Sequence, residues 1–121
     1  MDRRVVITGM GVVSPVGNNV EDFWANLAAG KSGITNLNTP KLEPHDCQIA
    51  GMVKDFDAKP YFKEYKDARR ADRFAQLGMA ASVMAIEDSG IDFDKVNKDR
   101  FGCMVGSGIG GLGTLEDQHV N

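Results

Sequence analysis

The sequence predicts an α/β fold in which buried strands alternate with covering helices, and its 121 residues supply only part of such a sheet. Three observations carry that expectation. Two short runs rich in apolar residues, Val5–Val13 with its glycine-marked bend and Phe101–Val105, read as strands buried on both faces. Between them, Phe74–Ile86 is apolar or small nearly all the way round a helix, as in a helix enclosed between layers. The order strand, helix, helix, strand, helix is that of a parallel sheet with both faces covered, and two or three strands do not complete one.

Taken in order, Val5, Val6 and Ile7 end at Thr8 and Gly9, and Val12 and Val13 resume beyond Gly11, so the first strand is expected to bend at its glycines. Pro15 and Gly17 close it. Asn19 is placed to cap a helix with Asp22 three positions on, while Val20, Phe23, Trp24, Leu27 and Ala28 make one apolar stripe. Gly30 stops that helix, and Trp24 is expected to anchor it in the core. Lys31–Asp46 reads as irregular loop, in which His45 is a solvated histidine, and Ile49–Val53 as a short strand. A long helix is expected from Asp67 to Ser89, stopped by Gly90, with Ala75, Gly78, Ala80, Ala81, Ser82 and Ala85 small enough for another layer to approach. Ile91–Arg100 is a charged connector. After the second strand come the glycine run Gly106–Gly113 and a helix start at Thr114.

Composition narrows the function. Hydrophobic residues at 42% and charged residues at 26% are ordinary globular values, which excludes a disordered or collagen-like chain. Fourteen Lys+Arg against 17 Asp+Glu give a net charge of -3, opposite in sign to the footprint of a general nucleic-acid binder. A chain of this mass has a folded area of about 6,400 Å² against about 19,000 Å² unfolded, so a compact monomer is possible in principle. Thr8, Gly9 and Gly11 interrupt the apolar run after Arg3 and Arg4, so no signal peptide is expected, and no segment has the apolar length of a bilayer span. Cys47 and Cys103 lack CxxC or Cys/His metal spacing, which points to a reducing, cytoplasmic setting and to no metal site.

Two motifs stand out. Gly106, Gly108 and Gly111 satisfy GxGxxG after a strand, the turn that seats a pyrophosphate in dinucleotide folds. The ribose-binding acid expected about 20 residues on falls at or beyond the end of this sequence, so a turn that lets backbone or ligand approach closely is the better reading. The second motif is basic. Lys66, Arg69, Arg70 and Arg73 recur at helical spacing, and Lys59–Arg73 holds six basic against three acidic residues in an otherwise acidic chain. By charge alone this is a solvated face, with docking of an acidic partner as the alternative. For catalysis there is little: nothing places Cys47 or Cys103 beside His45 or His119, and Glu87–Asp88 and Glu116–Asp117 are sequential neighbours that point apart on a helix.

Arg3–Asn18 (RRVVITGMGVVSPVGN) and Gly102–Gly113 (GCMVGSGIGGLG) closely resemble the N-terminal region of β-ketoacyl-[acyl-carrier-protein] synthases, the elongating type II condensing enzymes of fatty acid synthesis. The resemblance extends through Trp24–Ile34, Lys66–Gly78 and Ala85–Ile91. It implies a thiolase-like, layered αβαβα fold, of which residues 1–121 are an incomplete N-terminal part ending before the catalytic cysteine. It implies a homodimer, no organic cofactor and no catalytic metal. The reaction implied is a decarboxylative Claisen condensation, in which an acyl group on a cysteine thiolate is attacked by the carbanion from malonyl carrier protein. The family's cysteine and two histidines lie downstream, so none of Cys47, Cys103, His45 and His119 matches them, and this chain by itself is expected to be inactive. Two other roles transfer: Ile109, the bulky centre of GSGIGG, becomes a wall of the acyl-chain pocket, and Lys66, Arg69 and Arg70 become the docking face for acyl carrier protein. That reverses the solvated reading of the basic stripe. The alternative is a self-standing α/β module that binds carrier protein or a nucleotide, which requires the chain to fold alone.

Overall fold

A computed structural model describes residues 3–37 and 46–120, in two compact units: Val12–Phe56, and Met1–Gly11 together with Asp57–Asn121. Helix α1 (Val20–Ala28) begins as its sequence dictates, with the Asn19 side chain accepting a hydrogen bond from the Asp22 amide at 2.8 Å. Its carboxamide also donates to the Asp22 carboxylate, and Asn26 donates to the Val16 carbonyl, which ties the helix back to the turn before it. Strands β1 (Ile34–Asn36) and β2 (Ile49–Gly51) pair antiparallel, with Thr35 opposite Ala50. The stretch expected as irregular therefore carries a strand, and the expected strand after it is shorter, Ile49–Gly51. His45 lies outside the described residues.

In the other unit, the single long helix expected from Asp67 is two helices, α2 (Tyr65–Arg70) and α3 (Arg73–Ser89). Ala71 and Asp72 leave helical geometry, with ψ of 135° and 154°. Gln76 stabilises the break by donating to the carbonyls of Ala68 and Ala71, which the end of α2 leaves unpaired. Helix α3 stops at Gly90, left-handed at φ 60°, as expected. Two 3₁₀ turns, Lys59–Tyr61 and Lys98–Arg100, flank these elements, and α4 (Leu112–Val120) begins two residues before the expected Thr114.

The two strands expected to be buried do not form. Among the described residues neither Val5–Val13 nor Phe101–Val105 enters a ladder, and Val5 is 91% and Met104 98% exposed. The cause is physical: a strand buried on both faces needs strands beside it and layers above and below, and these described residues provide none. The first segment instead packs on α3. A Cβ at Gly9 would fall on the Ala85 carbonyl oxygen and one at Gly11 on that of Ala81, so only glycine admits this approach. The Met10 amide completes the contact by donating to the Asp88 carboxylate at 2.8 Å.

The core is correspondingly small. Buried hydrophobic residues among those described are Ala58, Ala68 and Ala80, and no large side chain is fully enclosed. Trp24, expected as a core anchor, is 69% exposed, and α3 keeps Phe74, Met79 and Ile86 open to solvent. The accessible area is 10366 Å², well above the about 6,400 Å² of a self-contained globule of this mass. Among the described residues no helix is long and apolar enough to cross a membrane.

Candidate functional site

Both motifs singled out in the sequence meet at one place, the corner between α2 and α3. Helix α2 carries Lys66, Arg69 and Arg70, all exposed, and none of the three forms an ion pair among the described residues. Arg73 belongs to α3, so the expected four-residue stripe is divided by the break at Ala71–Asp72. Three cations on one short helix remain a local positive surface, with Asp67 the one acid within the helix.

The glycine turn Gly106–Gly113 lies against this corner. Gly110 is left-handed, φ 78°, and a Cβ there would sit 3.8 Å from the Phe74 ring. A Cβ at Gly111 would collide with the Asp72 carboxylate. The same carboxylate accepts a hydrogen bond from the Thr114 hydroxyl in the first turn of α4. Asp72 stands at the N-cap position of α3 yet makes no side-chain cap bond to its own helix. Its charge is spent on α4, whose N-terminal end favours an anion. A cavity of about 500 Å³ opens here, lined by Arg69, Arg70, Phe74 and the turn residues Gly110–Thr114.

This geometry decides the reading of GxGxxG. The turn opens a helix, as a dinucleotide motif does, but the Asp72 carboxylate already lies against that helix's N-terminal end, bonded to Thr114, where a pyrophosphate would bind, and like charges there are unfavourable. What approaches the turn is neither backbone nor ligand but the side chain of Asp72, the residue before α3. Ile109 stands at the turn, 77% exposed. Sequence reasoning missed Asp72. The signal was present, an Asp immediately before an apolar helical run, but the helix was expected to be continuous there.

The remaining chemistry-bearing residues do not assemble. Cys47 and Cys103 are both exposed, the Cys47 thiol lies 3.8 Å from the Ile49 carbonyl, and among the described residues neither cysteine bonds a histidine. His119 is exposed in the last turn of α4. No group of three or more His, Cys, Asp or Glu among the described residues is placed to hold a metal ion.

Comparison with known proteins gives one answer throughout. Residues 2–121 match the family described as "Beta-ketoacyl synthase, N-terminal domain". The 3-oxoacyl-[acyl-carrier-protein] synthase 2 of Vibrio cholerae serotype O1 is 49% identical over 117 residues, covering 97% of this chain and 28% of that protein. The protein of the same name from Synechocystis sp. is 41% identical over 118 residues, 98% of this chain and again 28% of that protein. Among solved structures, the ishigamide ketosynthase/chain length factor superposes with a TM-score of 0.71 at 30% identity, covering 98% of this chain and 30% of that one. The chain thus spans less than a third of the length of the curated relatives it matches. The fold is accordingly an incomplete part of the thiolase-like α/β architecture.

Proposed function

The chain belongs to the β-ketoacyl synthase family through its N-terminal domain, and on that premise we propose that it is the N-terminal segment of an elongating β-ketoacyl-[acyl-carrier-protein] synthase. The observation that carries the reading is the match over residues 2–121, together with 49% identity to a protein named for this activity. In the complete enzyme an acyl group rides on a cysteine thiolate. Loss of CO₂ from malonyl-[acyl-carrier-protein] leaves a carbanion, which attacks the acyl carbonyl; a carbon–carbon bond forms and the thiolate departs. The nucleophile and the two histidines that stabilise the developing enolate come from outside residues 1–121. On this reading the whole protein is a cytoplasmic homodimer, and this chain alone is inactive.

Within the segment, Lys66, Arg69 and Arg70 receive the acidic carrier protein, supported by their exposure and their shared short helix. Ile109 limits the acyl chain, supported by its place as the one bulky residue of the GSGIGG turn. The test is charge reversal. In the complete synthase, replacing Lys66, Arg69 and Arg70 by Glu lowers affinity for acyl carrier protein by about tenfold or more at low salt, and the effect shrinks as salt screens it. Unchanged affinity in that variant refutes the docking role. For the pocket, Ile109→Gly lengthens the longest acyl chain accepted, and an unaltered chain-length profile refutes it. The self-standing module is not favoured, since the described residues enclose a core of alanines only.

A further inference from the structure

The contact between Asp72 and the glycine turn joins two features that the proposed function treats separately. Asp72 follows α2 by two residues, at the corner directly beyond Arg69 and Arg70. Its carboxylate accepts from Thr114, 42 residues away, and lies where Gly111 would carry a side chain. Gln76 pins the same corner from the other side through the Ala68 and Ala71 carbonyls, at 2.8 and 3.1 Å. Phe74, two residues beyond Asp72, has its ring beside Gly110. The turn that presents Ile109 is therefore seated on the α2–α3 corner, and Asp72 is the charged group that holds it there.

We propose that Asp72 is a positioning residue: by holding Thr114 and the Gly110–Gly111 backbone it fixes the turn that carries Ile109, and so sets which acyl lengths the synthase accepts. This rests on the reading of Ile109 as a pocket wall. Three features make Asp72 suited to the task. Its carboxylate is not used to cap its own helix. A hydrogen bond to an ionised acceptor is stronger than one between neutral groups. Gly111 leaves no side chain to compete for the space, so the carboxylate approaches the turn backbone directly.

The experiment uses the complete synthase and four variants, Asp72→Ala, Asp72→Asn, Thr114→Val and Thr114→Ser, with Ile109→Gly as reference. Two quantities are read: kcat/KM for acyl substrates across chain lengths, and deuterium exchange of the peptide spanning residues 106–113. Asp72→Ala and Thr114→Val each speed exchange in that peptide by about tenfold, the effect of losing one charge-assisted bond, and both broaden the chain-length profile in the direction of Ile109→Gly. Ser at 114 keeps the donor and holds both readouts close to wild type, while Asn at 72 keeps an acceptor without its charge and falls between Asp and Ala. Because Thr114 is exposed, its pair of variants serves even if Asp72→Ala folds poorly. The proposal is overturned if Ile109→Gly alters the profile while Asp72→Ala and Thr114→Val do not, since the turn then needs no strut. It is overturned equally if Ser at 114 behaves as Val does, because the hydroxyl donor to Asp72 is then not what holds the turn. Should exchange quicken while no variant, Ile109→Gly included, alters the profile, the pocket reading itself fails and the selectivity role falls with it.

Discussion

Asn19 and Asp72 show what a single residue's neighbourhood lets one read. The cap at Asn19 was legible because its partner, the Asp22 amide, is three residues away, and the motif contains both. Removing it with Asn19→Ala is expected to cost about 1 kcal/mol, measured as a lower denaturation midpoint of the complete protein. Asp72 carries an equally local signature, but the group it serves is 42 residues distant, and no spacing rule reaches that far. Gly11 is a third case. A Cβ there meets the Ala81 carbonyl oxygen, which belongs to helical backbone and has little room to move, so Gly11→Ala is expected to destabilise by about 1–3 kcal/mol. Asp92 offers a titration. The Lys95 ammonium at 2.8 Å, with the Asp94 amide second, holds its carboxyl below the ordinary range. A lowered folded-state pKa means that the small stabilisation is present above the unfolded value and is lost as pH falls through the folded one. Lys95→Ala is expected to raise the Asp92 pKa, followed by carboxyl NMR shifts, and an unmoved titration would count against the pairing.

At the scale of elements, what was legible followed local chemistry, and what was not depended on partners. Helix α1, the stop at Gly90 and the opening of a helix after the glycine turn all follow from neighbouring residues. The break at Ala71–Asp72 does not, because neither residue is a helix breaker; it is held by Gln76 reaching back to two carbonyls, a contact that propensity does not encode. The runs Val5–Val13 and Phe101–Val105 read as buried strands, yet Val5–Ile7 and Phe101–Val105 stand exposed and Val12 and Val13 only half-buried, since burial belongs to an assembly of layers and not to a segment. In the complete synthase, where the thiolase-like sheet is filled out, the backbone amides of both runs are expected to be among the slowest to exchange. Rapid exchange there would show that these segments are not strands of that sheet. Gly78 tests the layer reading of α3. Nothing lies within 4 Å of the position a Cβ would take, so propensity alone favours Gly78→Ala by about 1 kcal/mol. If a second layer seats on the small residues of α3, the substitution instead lowers the melting temperature of the complete enzyme.

For the whole molecule the telling quantity is surface. Among the described residues the buried hydrophobic side chains are three alanines, and a surplus of apolar surface is left exposed. The exposed set includes Val5, Ile7, Trp24, Met104, Val105 and Ile109, large apolar side chains that a finished fold covers. That surplus agrees with a chain spanning 28% of its curated relatives, and with a fold that is one part of a layered enzyme. On the proposed reading, this segment supplies a docking helix, a glycine turn and the corner that joins them, while the reacting groups lie elsewhere. The most direct test is to acylate the complete protein with an acyl thioester in the presence of malonyl-[acyl-carrier-protein] and to map the labelled cysteine by peptide mass spectrometry. The account predicts condensation with release of CO₂, and an acyl group on a cysteine outside residues 1–121, leaving Cys47 and Cys103 unmodified. Acylation of Cys47 or Cys103 during turnover, or a complete protein that does not condense, would contradict it.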